Sequence, residues 1–172
     1  MKPATAPNTE QLIEDFSNTM RKHLREHIEG TNVNNASLLT TDYLNHYSGM
    51  VMLLEQLPQT PEELIIYLLS WEPIGYEEHF ETSGFRDSDL AITAYRHAPE
   101  NIRSTFDLVV QRLHDESIKA LDAVRRQAEA GKTREMTQTC EQSAPILRDL
   151  IDEASAIINQ QESAQTTLDK LF

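Results

Sequence analysis

An all-α antiparallel helical bundle is the fold class this sequence predicts: about four principal helices, one or two short ones, and a long C-terminal helical hairpin. Three observations carry that expectation. Apolar residues recur every three or four positions along most of the chain, which is the spacing of one helix face. The five Gly and seven Pro gather at a few places, among them Gly30, Pro58, Pro61, Pro73, Gly75, Gly84, Pro99 and Gly131, and leave long stretches uninterrupted. No segment of useful length shows the period of two that a strand requires.

The first element runs from Gln11 to Glu29, where Leu12, Phe16, Met20, Leu24 and Ile28 form one stripe at a spacing of four. Gly30 ends it. An Asn-rich connector, Thr31 to Ser37, offers Ser37 as the N-cap of a second helix, Leu38 to Leu57. That helix carries Leu39, Tyr43, Tyr47, Met50, Leu53, Leu54 and Leu57 on a broad face and is expected to be the most buried. Pro58 closes it. Pro61 with Glu62 and Glu63 opens a short third helix to about Trp71, because proline suits the first turn and acids favour the positive end of the helix dipole.

From Trp71 to Ser88 the chain is least regular, interrupted by Pro73, Gly75 and Gly84, and reads as an ordered aromatic loop. Asp87 or Ser88 caps a short helix that ends between Tyr95 and His97. Pro99 then starts the long helix Glu100 to Ala130, with Ile102, Phe106, Val110, Leu113, Ser117, Leu121, Val124 and Ala128 along one side. Gly131 turns the chain back. Met136, Cys140, Ala144, Leu147, Ile151, Ala154 and Ile158 repeat the stripe on the return, so the two arms run antiparallel. Pro145 lies inside the second arm, yet the stripe keeps its phase across it, which predicts a kinked but continuous helix. In domain terms this gives a leader over 1–9, one bundle over 10–162 and a frayed tail over 163–172.

Composition narrows the function classes. Fifteen Lys and Arg against 28 Asp and Glu give a net charge of −13, which repels nucleic acid and anionic membrane surfaces. No apolar run approaches the ~20 residues of a membrane span, and the first nine residues lack the pattern of a signal peptide. One cysteine, Cys140, allows no internal disulfide, so a cytoplasmic setting is expected. No phosphate loop, dinucleotide fingerprint or nucleophile elbow is present, and no cofactor is expected.

Three candidate sites remain. A di-iron site of the ferritin type needs Glu-x-x-His twice, and that motif does not occur. His23 and His27 are spaced i, i+4, however, and His46 lies one turn after Asp42, so these four residues are the candidate ligands of a metal or small-molecule sensor with its site between helices near His27 and His46. His27, within the apolar stripe, equally suits a core position held by one hydrogen bond. The second candidate is the run Arg112, Leu113, His114, Asp115 and Glu116 on the long helix. It resembles the phosphoacceptor helix of two-component histidine kinases. That resemblance implies an imidazole of His114 that takes phosphate, with the following acid as base, and helical phase places His114 at the solvent edge.

The third candidate is the aromatic segment, where Trp71, Tyr76, His79, Phe80 and Phe85 could anchor another protein or a second copy of the chain. The same rings could instead cap the core. The leading expectation is a non-catalytic interaction or regulatory module, with a homodimer as one version of it.

Overall fold

The computed structural model describes residues 5–6 and 8–160, and the expected leader and the tail over 163–172 fall largely or wholly outside them. All the regular structure among the described residues is helical. In order the helices are α1 (Thr9–His27), α2 (Asn45–Gln56), α3 (Pro61–Ser70), α4 (Tyr76–Thr82), α5 (Ser88–Arg96), α6 (Glu100–Glu129) and α7 (Thr133–Ile158), with a 3-10 turn at Thr41–Leu44 before α2.

The hairpin of α6 and α7 is the spine. Gly131 turns it at φ +68°, a left-handed conformation that costs an L side chain about 1–2 kcal/mol. Phe106, Val109, Val110, Leu113, Leu121 and Val124 from α6 meet Met136, Cys140, Ala144, Leu147, Leu150 and Ala154 from α7. Helix α2 closes this layer against α7 and buries Tyr47, Met50, Val51 and Leu54. Pro145 is accommodated within one continuous α7. It lies on the exposed side, so the carbonyl one turn earlier, which loses its N–H partner, belongs to the exposed Glu141 and can be met by water.

Two elements differ from the sequence expectation. Leu38 and Leu39 do not begin a helix: Leu38 sits at φ +61° and both side chains are wholly buried. Asn34 organises this turn, with its side-chain oxygen accepting from the N–H of Ala36 and Ser37, while Ser37 Oγ accepts from the N–H of Leu39. Burying two leucines outweighs the local cost of the left-handed residue. The functioning cap is Thr40, whose Oγ1 accepts from the N–H of Asp42.

The aromatic loop, second, contains α4, making three short helices rather than one or two. The N–H of His79 donates to the Gly75 carbonyl at 2.9 Å as its first turn closes. A seven-residue helix with glycine before it and few apolar residues gives little periodic signal.

Helix α1 differs in degree of packing. Its stripe forms as expected, yet within the helix only Leu24 is buried, followed by the cap residue Ile28. It contacts the other helices far less than they contact one another.

Candidate interaction surface

Two regions compete for a functional role: the aromatic end of the bundle and the outer face of α1.

At the aromatic end, Tyr43 is the hub. Its hydroxyl donates to the carbonyl of Ile74 at 2.6 Å and lies 3.5 Å from Nε2 of His114. Tyr47 packs edge-on to Tyr43 and stacks on His114 at 5.8 Å between ring centroids. Tyr76 and Phe106 complete the ring cluster around Tyr43. Burial in this apolar setting pushes the Tyr43 hydroxyl up to about 12, and raises Tyr47 and Tyr76 as well. These hydroxyls therefore act as neutral hydrogen-bonding and packing groups.

The candidate phosphoacceptor belongs to this cluster. His114 is half-buried, with its Nε2 3.5 Å from the Tyr43 hydroxyl. Half-burial is an edge position, as helical phase places it, with the rings of Tyr43 and Tyr47 packed on its inner side. Asp115 is exposed and accepts from Gln111 Nε2, whereas Glu116 is half-buried.

Of the expected anchors, Tyr76 and Phe80 are buried. Tyr76 Oη accepts from the N–H of Thr40 at 3.0 Å, tying α4 to the turn before the 3-10 segment. Those two residues cap the core and offer nothing to a partner. Trp71, His79 and Phe85 are half-buried, and Trp71 and Phe85 pack against the core. Trp71 donates from Nε1 to the His46 carbonyl at 3.0 Å and stacks on the His46 ring at 4.6 Å. His79 meets Tyr43 edge-on, and its pKa is lowered first by burial and then by the nearby His46, with Asp42 opposing. The segment thus leaves a narrow half-exposed rim rather than an apolar patch.

The metal set does not assemble. Among the described residues no group of three or more His, Cys, Asp or Glu side chains is placed to hold an ion. His46 spends Nε2 on the carbonyl of Glu72 at 2.5 Å, and Asp42 accepts from Asn32 Nδ2 at 3.2 Å. His23 and His27 are adjacent, 4.5 Å between ring centroids, but both are exposed on α1. His27 is no core residue: it donates from Nδ1 to the carbonyl of His23, a contact within its own helix. Cys140 is buried, and that burial raises its thiol to about 11, so it is an unreactive packing residue.

The surface that sequence reasoning missed lies on α1. Leu12, Ile13 and Phe16 are 53%, 62% and 61% exposed, and Met20 is half-exposed. An N-cap bond from the N–H of Gln11 to Asn8 Oδ1 starts the helix, and Glu10 lies in its first turn. Its C-terminal half is anchored: Arg25 Nε donates to the Asn35 carbonyl at 3.0 Å and Arg21 Nη1 to the His97 carbonyl at 3.5 Å. Toward its N-terminus α1 stands off across an open cleft of about 480 Å³, lined by Ile13, Glu14 and Ser17 on one side and Arg96, Ala98 and Arg103 on the other. The sequence did carry a signal. The apolar row over the first half of α1 is only Leu12, Ile13 and Phe16 with charge on both flanks, unlike the broad faces of the core helices.

Comparison with protein-family models, with curated proteins and with solved structures finds no match to this chain. No helix among the described residues is long and apolar enough to cross a membrane.

Proposed function

We propose that this protein is a non-catalytic interaction module of regulatory type that docks another polypeptide through the outer face of α1. One observation carries the reading: Leu12 and Phe16 are more than half exposed on the outer side of an N-capped helix, with Ile13 exposed at the cleft beside them, while the main apolar stripes of α2, α6 and α7 are buried. Burying that row would remove apolar surface from water at about 25 cal/mol per Å², a gain the chain does not realise by itself. The tight α2–α6–α7 body serves as the platform that holds α1 outward. A cytoplasmic setting belongs to this reading and rests on the single buried cysteine. The phosphotransfer and metal-sensor readings gain no support from the arrangement of His114, His46 and His27 described above.

The test is site-specific photocrosslinking in the producing cell. A photoreactive phenylalanine analogue replaces Phe16, with Leu108, also exposed but on α6, as the control position. A discrete adduct from position 16 and none from 108 is expected. Crosslinks that form only within one chain, or equally from both positions, would overturn the proposal.

A further inference from the structure

Resting on the reading of α1 as a docking helix, we infer that its occupant is α1 of a second copy of this chain, paired antiparallel across a two-fold axis.

Charge distribution along the helix points to this occupant. The first half carries Glu10, Glu14 and Asp15, and the second half carries Arg21, Lys22 and Arg25 together with Glu26. Glu10, Glu14 and Arg21 line the cleft toward the body, so the charges that flank the outer row are Asp15 and Lys22: antiparallel pairing lays Asp15 of each copy along Lys22 of the other, whereas parallel pairing would oppose like charges. The helix has four acids and three bases, a net −1, so it contributes little of the chain's −13 and two copies meet here without strong repulsion.

The apolar row fits the same axis. With the two-fold near the middle of the 19-residue helix, Phe16 of each copy comes near Met20 of the other, and Leu12 reaches the turn where Leu24 is already buried and His23 is exposed, so the apolar seam is centred on Phe16 and Met20. In an antiparallel helix pair each flank meets the same flank of its mate, so Asp15 and Lys22, about 20° apart in helical phase, face each other's counterparts. Within the chain neither has an ion-pair partner among the described residues. A seam of one short helix is small beside a standard interface of about 800 Å² per partner, so the dimer is a concentration-dependent one.

Sedimentation velocity over a concentration series on the full chain tests this. A wild-type dimer is expected, with Phe16→Ser monomeric at the same concentrations and unchanged in helical content. Asp15→Lys and Lys22→Glu should each weaken the dimer about tenfold, since each replaces two attractive pairs by two repulsive ones. An equimolar mixture of the two variants should recover wild-type association as a heterodimer, because position 15 of each chain then again faces an opposite charge at position 22 of the other.

A dimer indifferent to Phe16→Ser, or a mixture no tighter than its components, overturns the antiparallel seam. If the wild type is monomeric throughout, hydroxyl-radical footprinting of the Phe16 ring separates self-pairing from docking in general. A fully reactive ring leaves α1 a free docking helix and overturns self-pairing alone. A protected ring in a monomer would mean that α1 docks on its own body, and both readings then fall.

Discussion

Helices α1 and α7 are written in much the same way and end in opposite environments. Each carries an apolar stripe at helical spacing with charge on the other faces. Along α7 that stripe is buried from Met136 to Ile158 because α6 and α2 lie against it. Along α1 it is buried only at Leu24 and Ile28 and emerges at Phe16 and Leu12. Amphipathicity therefore states that a helix has a face to bury, and the partner is a separate matter. For α7 the turn at Gly131 delivers the partner from the same chain. The connector after Gly30 leads instead to a turn built by Asn34, which ties down only the C-terminal half of α1.

The sharpest way to break this contrast is to truncate one large side chain on each surface. Phe106→Ala, at a wholly buried position, should cost about 3–5 kcal/mol of unfolding free energy measured by urea denaturation. Phe16→Ala, measured where the chain is monomeric, should stay within about 0.5 kcal/mol. Comparable losses at both positions would mean that α1 packs on the body after all.

A smaller effect probes the aromatic end, where the two tyrosines of the core differ. Tyr43 Oη is bonded to the Ile74 carbonyl, whereas Tyr47 Oη is buried near the Tyr43 hydroxyl without a well-aligned hydrogen bond. Tyr43→Phe should cost about 1–2 kcal/mol, because it leaves a carbonyl without its donor. Tyr47→Phe should be neutral or stabilising, since it removes an unsatisfied hydroxyl and keeps the ring. The reverse order in thermal or urea unfolding would show that Tyr47 has the more valuable bond.

The smallest effect tests the turn that gives α7 its partner. No atom stands within 4 Å of where a Cβ at Gly131 would lie, so Gly131→Ala meets no clash and only the backbone strain of φ +68°. A loss of about 1 kcal/mol is expected, with both arms still helical by circular dichroism. A neutral result would mean that the turn relaxes to another conformation.

Much of this architecture was legible from one dimension. The boundaries of the long arms, the break at Gly131 and the continuity through Pro145 all follow from apolar phase, which depends on residues within two turns of each other. The segment over 71–88 was less legible, because the contacts that fix α4 join Tyr76 to Tyr43 and to Thr40, more than thirty positions earlier. Phase likewise put His114 at an edge without revealing that Tyr43 and Tyr47, some seventy positions earlier, would pack on its inner side. Leu38 shows the same limit at a single residue, where the turn of Asn34 and Ser37 is local but the burial that holds both leucines in it is not.

By itself, then, the sequence determined which faces are apolar, where helices stop, and that charge on α1 divides into an acidic and a basic half. Those are properties of nearest neighbours along the chain and of composition. Only the tertiary structure decided which apolar faces find a partner, because a face gains from burial only when another surface of the right shape reaches it. That decision buried Tyr76 and Phe80, packed Tyr43 and Tyr47 against the half-buried His114, brought no group of three metal-ligating side chains together among the described residues, and left Leu12 and Phe16 exposed.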